Sequence, residues 1–465
     1  AGLAGGLVLG LAVWEPALGV GAAILLGPTR AYLAAAGFAG PQSDFGQIFF
    51  ALALAGWLAR GALRRELTLP RLGLYLPLGA WIGVGLLSLF GAAEWRDGLN
   101  ESIKWIEVAA LMAITLDAAR RPAVGGASSR LAWVLTAILL SGLAQAALGM
   151  WQYGLRGAGP ESFRLPDGHY RAYGTFEQPN PFGGFLGLIW PVAAGLALGH
   201  LETAVIHWRG ARQGLGARLR PSGNVALGMW GFAPALALAG VAALLLLGLY
   251  VSFSRGAWLG AAAAGVLMAA FWPRRPAIGL GLAATGLGLG FLLVSAGLVP
   301  AGIAARLANV LDFAAVSDVR GVNINDANFA LVERLAHWQA AAAMAEAHPW
   351  LGVGLGNYVA AYPDYALFNW PFHLGHAHNI YLHTLAETGV LGLAAYGALW
   401  GAAIILTLQV LRRQAGWARG LALGLLGVWT HLLAHQVVDN LHVNNNDLLL
   451  GAYLGILYAL NDSRD

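Results

Sequence analysis

The chain has 465 residues, 58% of them hydrophobic and only 11% charged, with 65 glycines and no cysteine. So little charge cannot cover a water-soluble protein of this length, and the lack of thiols excludes disulfides, thiolate metal sites and cysteine nucleophiles. The formal charge of +4 comes almost wholly from arginine, Lys104 being the one lysine, and arginine in the loops of a membrane protein explains it without nucleic acid.

A bilayer core about 30 Å thick takes roughly 20 apolar residues in a helix, and on that measure the sequence predicts about twelve spans. They fall near residues 3–27, 45–63, 73–91, 99–118, 130–150, 182–200, 225–249, 256–272, 277–298, 379–408, 417–437 and 446–460. The first lacks a positively charged flank and a clear cleavage site, so it reads as a span rather than a secretory signal. Trp14-Glu15-Pro16 interrupts it and can split it into two shorter helices. Alternate loops carry the arginines, in RGALRRELTLPR, DAARRPAVGGASSR, HWRGARQGLGARLR, WPRRP and LRRQAGWAR. Together with Arg464 they hold 17 of the 27 Lys and Arg residues. By the positive-inside rule these loops and both termini are cytoplasmic. The expected fold is an all-α polytopic transmembrane bundle: spans one to nine in residues 1–298, a long loop on the opposite face over 299–378, and spans ten to twelve in 379–465. Within the long loop, LVERLAHWQAAAAMAEAHPW has the spacing of a helix. GVGLGNY, 352–358, follows no strand and reads as a turn rather than a phosphate cradle. The run GLGLAATGLGLG suits close helix packing in lipid.

The chemistry-bearing residues collect on the face opposite the arginine-rich loops. FHLGHAHNIYLH sets His373, His376 and His378 directly before the tenth span. His378 heads a stripe formed by Tyr381, Leu382, Leu385, Gly389 and Gly392, where another helix can approach closely. The positive end of the helix dipole favours a neutral ring there, which can accept a proton, and Asn379 is placed to cap the helix or orient the ring. His383 and Glu387, four apart on the far side, can pair with each other. Read alone, His378 is equally an interfacial polar residue, and H-x-x-H-x-H is also a possible zinc spacing, although no carboxylate stands near it in sequence. Arg171 precedes a Gly-Thr-Phe turn and the Asn180-Pro181 break, Arg255 sits at the tip of a short hairpin, and Arg334 and Trp338 belong to the long loop. Planar guanidinium forks on that face suit diphosphate oxygens. Trp338, Trp350 and Trp370 can stack on sugar rings. Glu101, Lys104 and Glu107 form an expected ion-pair set, while Asp439, Asn440, His442 and Asn444 to Asn446 close the last hairpin with no role assigned.

These stretches, RAYGTFEQPNPFGGFL, SFSRGAWLG, ERLAHWQAAAAMAEAHPWLGVGLGNY and above all AHNIYLHTLAETGVLG, resemble the O-antigen ligase and O-antigen polymerase superfamily of integral-membrane GT-C-type glycosyltransferases over roughly residues 40–460. The resemblance implies metal-independent, inverting transfer of a glycan from undecaprenyl diphosphate, without a cofactor, at the periplasmic face of the bacterial inner membrane. His378 then looks like the general base and Arg171, Arg255 and Arg334 like diphosphate ligands, with Asn379, Tyr381, Asn180 and Trp338 supporting them. The acceptor it implies is a lipid A-core sugar hydroxyl for a ligase, a second lipid-linked repeat for a polymerase, or a protein hydroxyl for an oligosaccharyltransferase. The shared motifs do not choose among these, and a ligase is favoured. A transporter of lipid-linked glycans is the alternative from another class, but its ionisable residues would lie near the bilayer midplane in repeated halves.

Overall fold

The computed structural model describes residues 9–38, 40, 43–64, 73–121, 130–212, 232–298, 318–325 and 328–462. Among them the structure is helical, with one isolated β-bridge between Arg164 and Tyr170. The principal helices are α1 (Pro16–Leu26), α2 (Phe45–Arg64), α3 (Tyr75–Ser88), α4 (Trp95–Arg120), α5 (Arg130–Gly154), α6 (Pro179–Gly187), α7 (Trp190–Arg212), α8 (Ala233–Tyr250), α9 (Arg255–Phe271), α10 (Pro276–Ser295), α11 (Phe329–Ala347), α12 (Tyr358–Tyr365), α13 (Ile380–Arg413), α14 (Gly416–His435) and α15 (Asn446–Asp462). Among the described residues, seven segments are long and apolar enough to cross a bilayer: Pro16–Ala35, Phe45–Leu63, Arg130–Gly154, Pro179–Arg209, Ala233–Tyr250, Pro276–Ser295 and Ile380–Arg413. The expected count of twelve exceeds this for physical reasons. Helices α3 and α9 are apolar but short, α15 has only 17 residues, α4 carries seven charged residues from Arg96 to Arg120, and α14 is diluted by glycine, Arg419 and two histidines. Much of the arginine-loop reading, including Arg65, Arg71, Arg218, Arg220 and Arg464, lies outside the described residues, as does 299–317 of the long loop.

Helix α14 is the axis of the bundle. Glycines let it meet α7 backbone to backbone: a Cβ on Gly195 would lie 2.3 Å from the Gly420 carbonyl oxygen, and one on Gly420 the same distance from that of Gly195. The face of α14 away from α7 packs on α13, where Trp429 donates to Thr407 Oγ1 at 3.0 Å. Large aromatics, among them Trp400, Trp429, Tyr396 and Tyr453, fill the centre. The glycines of α10 behave differently from expectation. Gly281, Gly286, Gly288 and Gly290 have nothing within contact of a Cβ, because α10 packs chiefly along α9 through Gly279.

The two ends of the bundle differ in chemistry. At one, ion pairs join the helix termini: Arg130 grips Glu15 with two bonds of 2.8 Å, Arg120 pairs with Asp462, and Arg419 donates to the carbonyl oxygens of Phe271 (3.2 Å) and Trp272 (2.7 Å). Glu15 also marks the break expected in the first span, because helix ends at Trp14 and resumes at Pro16. At the other end the loops bond to one another. Ala172 N–H meets the Val251 carbonyl (2.9 Å) and Ile380 N–H meets that of Gln436 (3.0 Å), while Asn445 reaches Asp44 (2.8 Å). The helix expected in the long loop is α11. The turn 352–358 docks on a break in α13 at Gly389 (φ 63°, ψ −165°), and Glu387 accepts N–H bonds from Gly356 and Tyr358, both 2.9 Å. The glycine-rich turn therefore cradles a carboxylate of its own chain.

Candidate active site

His378 stands just ahead of α13 with a left-handed backbone, φ 53°. Asn379 is the N-cap, its Oδ1 accepting from Tyr381 N–H (3.0 Å) and Leu382 N–H (3.1 Å). Those bonds satisfy first-turn donors that no helical carbonyl can reach. Tyr381 donates to the Leu433 carbonyl at 2.8 Å, tying the start of α13 to the end of α14. The His378 backbone is held twice: its N–H donates to His376 Nδ1 (3.0 Å) and its carbonyl receives Trp338 Nε1–H (3.4 Å).

The carboxylate that sequence spacing did not supply comes from the last hairpin. Asp439 Oδ1 lies 3.4 Å from His378 Nδ1 and 3.9 Å from His376 Nε2. Burial pushes the Asp439 carboxyl up, but His378, His376 and Arg334 outweigh it and hold the group well below the usual carboxylate range. Burial, with His378 beside it, holds the His376 imidazole well below its ordinary value. Helix α11 lies against this pair. Its His337 ring centroid is 6.5 Å from that of His378, and burial pushes the Glu333 carboxyl up, with His378 and Arg334 acting the other way.

His376, His378 and Asp439 bring three ligand atoms within 4.8 Å of one another. One of the three donors is already engaged. His376 Nδ1 accepts the His378 N–H, so in a neutral ring the proton is on Nε2, the atom that faces Asp439 and would have to offer a lone pair. His373 is outside the group and lies beside Tyr362.

The three arginines are placed differently. Arg334 is half-buried and, among the described residues, forms no hydrogen bond or ion pair; its charge acts on Asp439, His376, His435 and Glu333. Arg171 is committed, with Nε donating to the Ser252 carbonyl (3.0 Å) and Nη2 to Asn180 Oδ1 (3.1 Å). Arg255 opens α9 behind the N-cap Ser254. The next residue, Gly256, packs so closely on α14 that a Cβ there would meet His435 Cδ2 at 2.4 Å and Val438 Cγ2 at 2.9 Å. Asp439 follows Val438, so His378 and the arginines border one end of the bundle. That end also holds several helix N-termini. The described non-glycine residues with positive φ are Glu177, Phe253, His378, Asn444 and Asn445, and each stands within two residues of the start of α6, α9, α13 or α15. Four helix N-termini and three guanidinium groups there favour an anion. Lys104 pairs with Glu101, His383 with Glu387 at 3.5 Å, whereas Glu107 departs from its expected set and accepts from Gln47 at 3.0 Å.

Sequence reasoning missed Asp439, His337 and Glu333 as neighbours of His378, and His435 as a neighbour of Asp439. The one available signal was an Asp-Asn pair in a short hairpin on the same face. No curated protein matches the chain. Residues 240–397, about a third of the length, match the family model described as O-antigen ligase. That stretch contains Arg255, Arg334 and His378, while Arg171, Asn180 and Asp439 lie beyond it. Over this segment the chain is similar to the O-antigen ligase family, which supports the resemblance read from its motifs.

Proposed function

We propose that the protein is an O-antigen ligase that transfers a glycan from undecaprenyl diphosphate to a lipid A-core hydroxyl. The observation that carries this reading is His378 held beside the buried Asp439 at the end of the bundle where Arg334, Arg255 and Arg171 gather. The acceptor oxygen attacks C1 of the donor sugar while its proton passes to Nε2 of His378. Asp439, facing Nδ1, orients the ring and stabilises the imidazolium as it forms. The contact is longer than an ideal hydrogen bond, and such contacts tighten once substrate is bound. The C1–O bond to the diphosphate breaks on the opposite side, which inverts the anomeric centre, and the leaving oxygens keep the electron pair. Guanidinium groups and helix N-termini stabilise that charge, so no metal ion is required.

A lipid carrier must leave its tail in the bilayer, which explains a site at the rim of a helical bundle. We assign this rim to the periplasmic face of the inner membrane, with twelve crossings and both termini inside. The reading is tested with purified protein in nanodiscs, an undecaprenyl-diphosphate-linked glycan and, in separate reactions, lipid A-core, a second lipid-linked repeat, or a Ser/Thr peptide. Product on lipid A-core supports a ligase. Product on a lipid-linked repeat or peptide alone replaces it with a polymerase or a protein O-oligosaccharyltransferase, and transport of the donor without product replaces it with a transporter.

A further inference from the structure

Helix α14 carries two imidazoles one turn apart, His431 and His435, both fully buried. Each is received by one glycine from α6 and one from α9. A Cβ on Gly184 would meet His435 Cε1 at 3.2 Å, and one on Gly256 would meet its Cδ2 at 2.4 Å. For His431 the corresponding contacts are Gly187, 1.8 Å from Nε2, and Gly260, 2.7 Å from Nδ1. The spacings 184/187, 256/260 and 431/435 are those of neighbours on one helix face. Two helices have given up side chains to admit these rings.

Neither ring nitrogen of His435 has a hydrogen-bond partner among the described residues. A buried polar group without a partner costs about 1–3 kcal/mol, so a leucine in this cage would hold the fold better. What His435 holds is the end of α14. Its carbonyl accepts Val438 N–H at 3.1 Å, starting the turn that delivers Asp439, and the next carbonyl, Gln436, accepts Ile380 N–H at 3.0 Å, where α13 begins behind His378 and Asn379. The charges that act on the ring are Asp439 and Arg334. Of the packed helices, α6 meets the ring at Gly184 and α9 at Gly256, whose chain neighbour is Arg255.

We propose that His435 is a positioning residue for glycan transfer. Caged between α6 and α9, it fixes the point from which Asp439 and the His378 turn both hang, and so sets their contact and their spacing from Arg255. This rests on the transfer reading above, which is tested separately by transfer in the wild type and its loss in His378→Ala.

The experiment compares His435→Leu and His435→Gln with wild type by thermal unfolding and by steady-state transfer from the lipid-linked donor. His435→Leu is expected to unfold at or above the wild-type temperature, yet to lose about 10- to 100-fold in kcat with donor KM within about twofold, as a misplaced base requires. His435→Gln, which keeps polar atoms in the cage, is expected to recover part of that kcat. Wild-type kcat in His435→Leu would overturn the proposal, as would a rise in donor KM matching the fall in kcat. If His435→Leu does not fold, His435→Gln is read alone, and a kcat loss with unchanged KM supports the proposal whereas wild-type kcat overturns it.

Discussion

Nδ1 of His378 and Oδ1 of Asp439 face each other across 3.4 Å, although the whole hairpin of α13 and α14 separates them in the chain. One ring nitrogen therefore looks inward to a carboxylate, and the proposed transfer uses the other for the acceptor hydroxyl. His378→Ala should lower transfer about 10²- to 10⁴-fold, the usual worth of a positioned acid–base group. Asp439→Asn should lower kcat by a similar factor, with little effect on donor KM, because it alters the ring's orientation and not the diphosphate contacts. Initial rates across donor concentrations separate the two effects, and full activity in His378→Ala would remove the base assignment.

The arginines should divide by their present partners. Arg171 bonds Ser252 and Asn180, so Arg171→Ala should cost about 1–2 kcal/mol of stability besides weakening transfer. Arg334 has no such bonds among the described residues, so Arg334→Ala should unfold at the wild-type temperature while losing about 10²-fold in kcat/KM, with Arg334→Lys recovering only part because the planar fork is gone. Calorimetric unfolding alongside transfer kinetics checks both. Equal loss of stability in the two variants would contradict this division.

Transfer should survive chelation. His376 Nδ1 is already an acceptor of the His378 N–H, so neither neutral tautomer of His376 can keep that bond and also ligate an ion through Nε2. EDTA treatment followed by transfer assay is the measurement. A loss greater than about tenfold that zinc restores would show that the ring turns over to bind metal.

How far the sequence could be read depended on where each signal resides. The helical spacing in 331–350 and the apolar run 130–150 are local, and helices formed there, over Phe329–Ala347 and Arg130–Gly154. The His383 and Glu387 pairing is local too. Asp439 beside His378, and Gly256 against His435, are tertiary facts made by the crossing of α9, α13 and α14, and no periodicity encodes them. The Glu387 carboxylate shows the same limit from the other side: the i, i+4 rule finds His383, but the amides of Gly356 and Tyr358 come from a turn that only the break at Gly389 admits.

Acid should weaken the fold through His376. Burial and the neighbouring His378 hold that ring well below its ordinary value, whereas in the unfolded chain a histidine titrates near 6.5. Below about pH 6.5 the unfolded chain takes up a proton that the folded ring refuses, so stability falls as pH drops. Asp439 does not compete in this window. Its folded value is depressed, so its contribution is complete above about pH 4 and fades only as pH falls further, through that depressed value. His376→Gln, whose side-chain oxygen can still accept the His378 N–H, should flatten the decline in unfolding temperature between about pH 6.5 and 4. An equally steep decline in the variant would assign the acid sensitivity elsewhere.

Gly389 separates fold from chemistry. Its φ of 63° with ψ of −165° is open only to glycine, and a Cβ would lie 2.2 Å from the carbonyl carbon of Trp350. Gly389→Ala therefore meets both backbone strain and a clash with main chain that cannot rotate away. The cost should be about 2–4 kcal/mol, read as a lower unfolding temperature. The break also seats the 352–358 turn, whose Gly354 N–H bonds the Glu387 carbonyl at 2.9 Å, so the variant should expose that turn to protease before the rest of the chain. Residual transfer per folded molecule should stay near wild type, since Gly389 touches neither His378 nor the arginines. A folded Gly389→Ala protein with wild-type stability would show that α13 can straighten, and the turn would then owe its position to something other than this break.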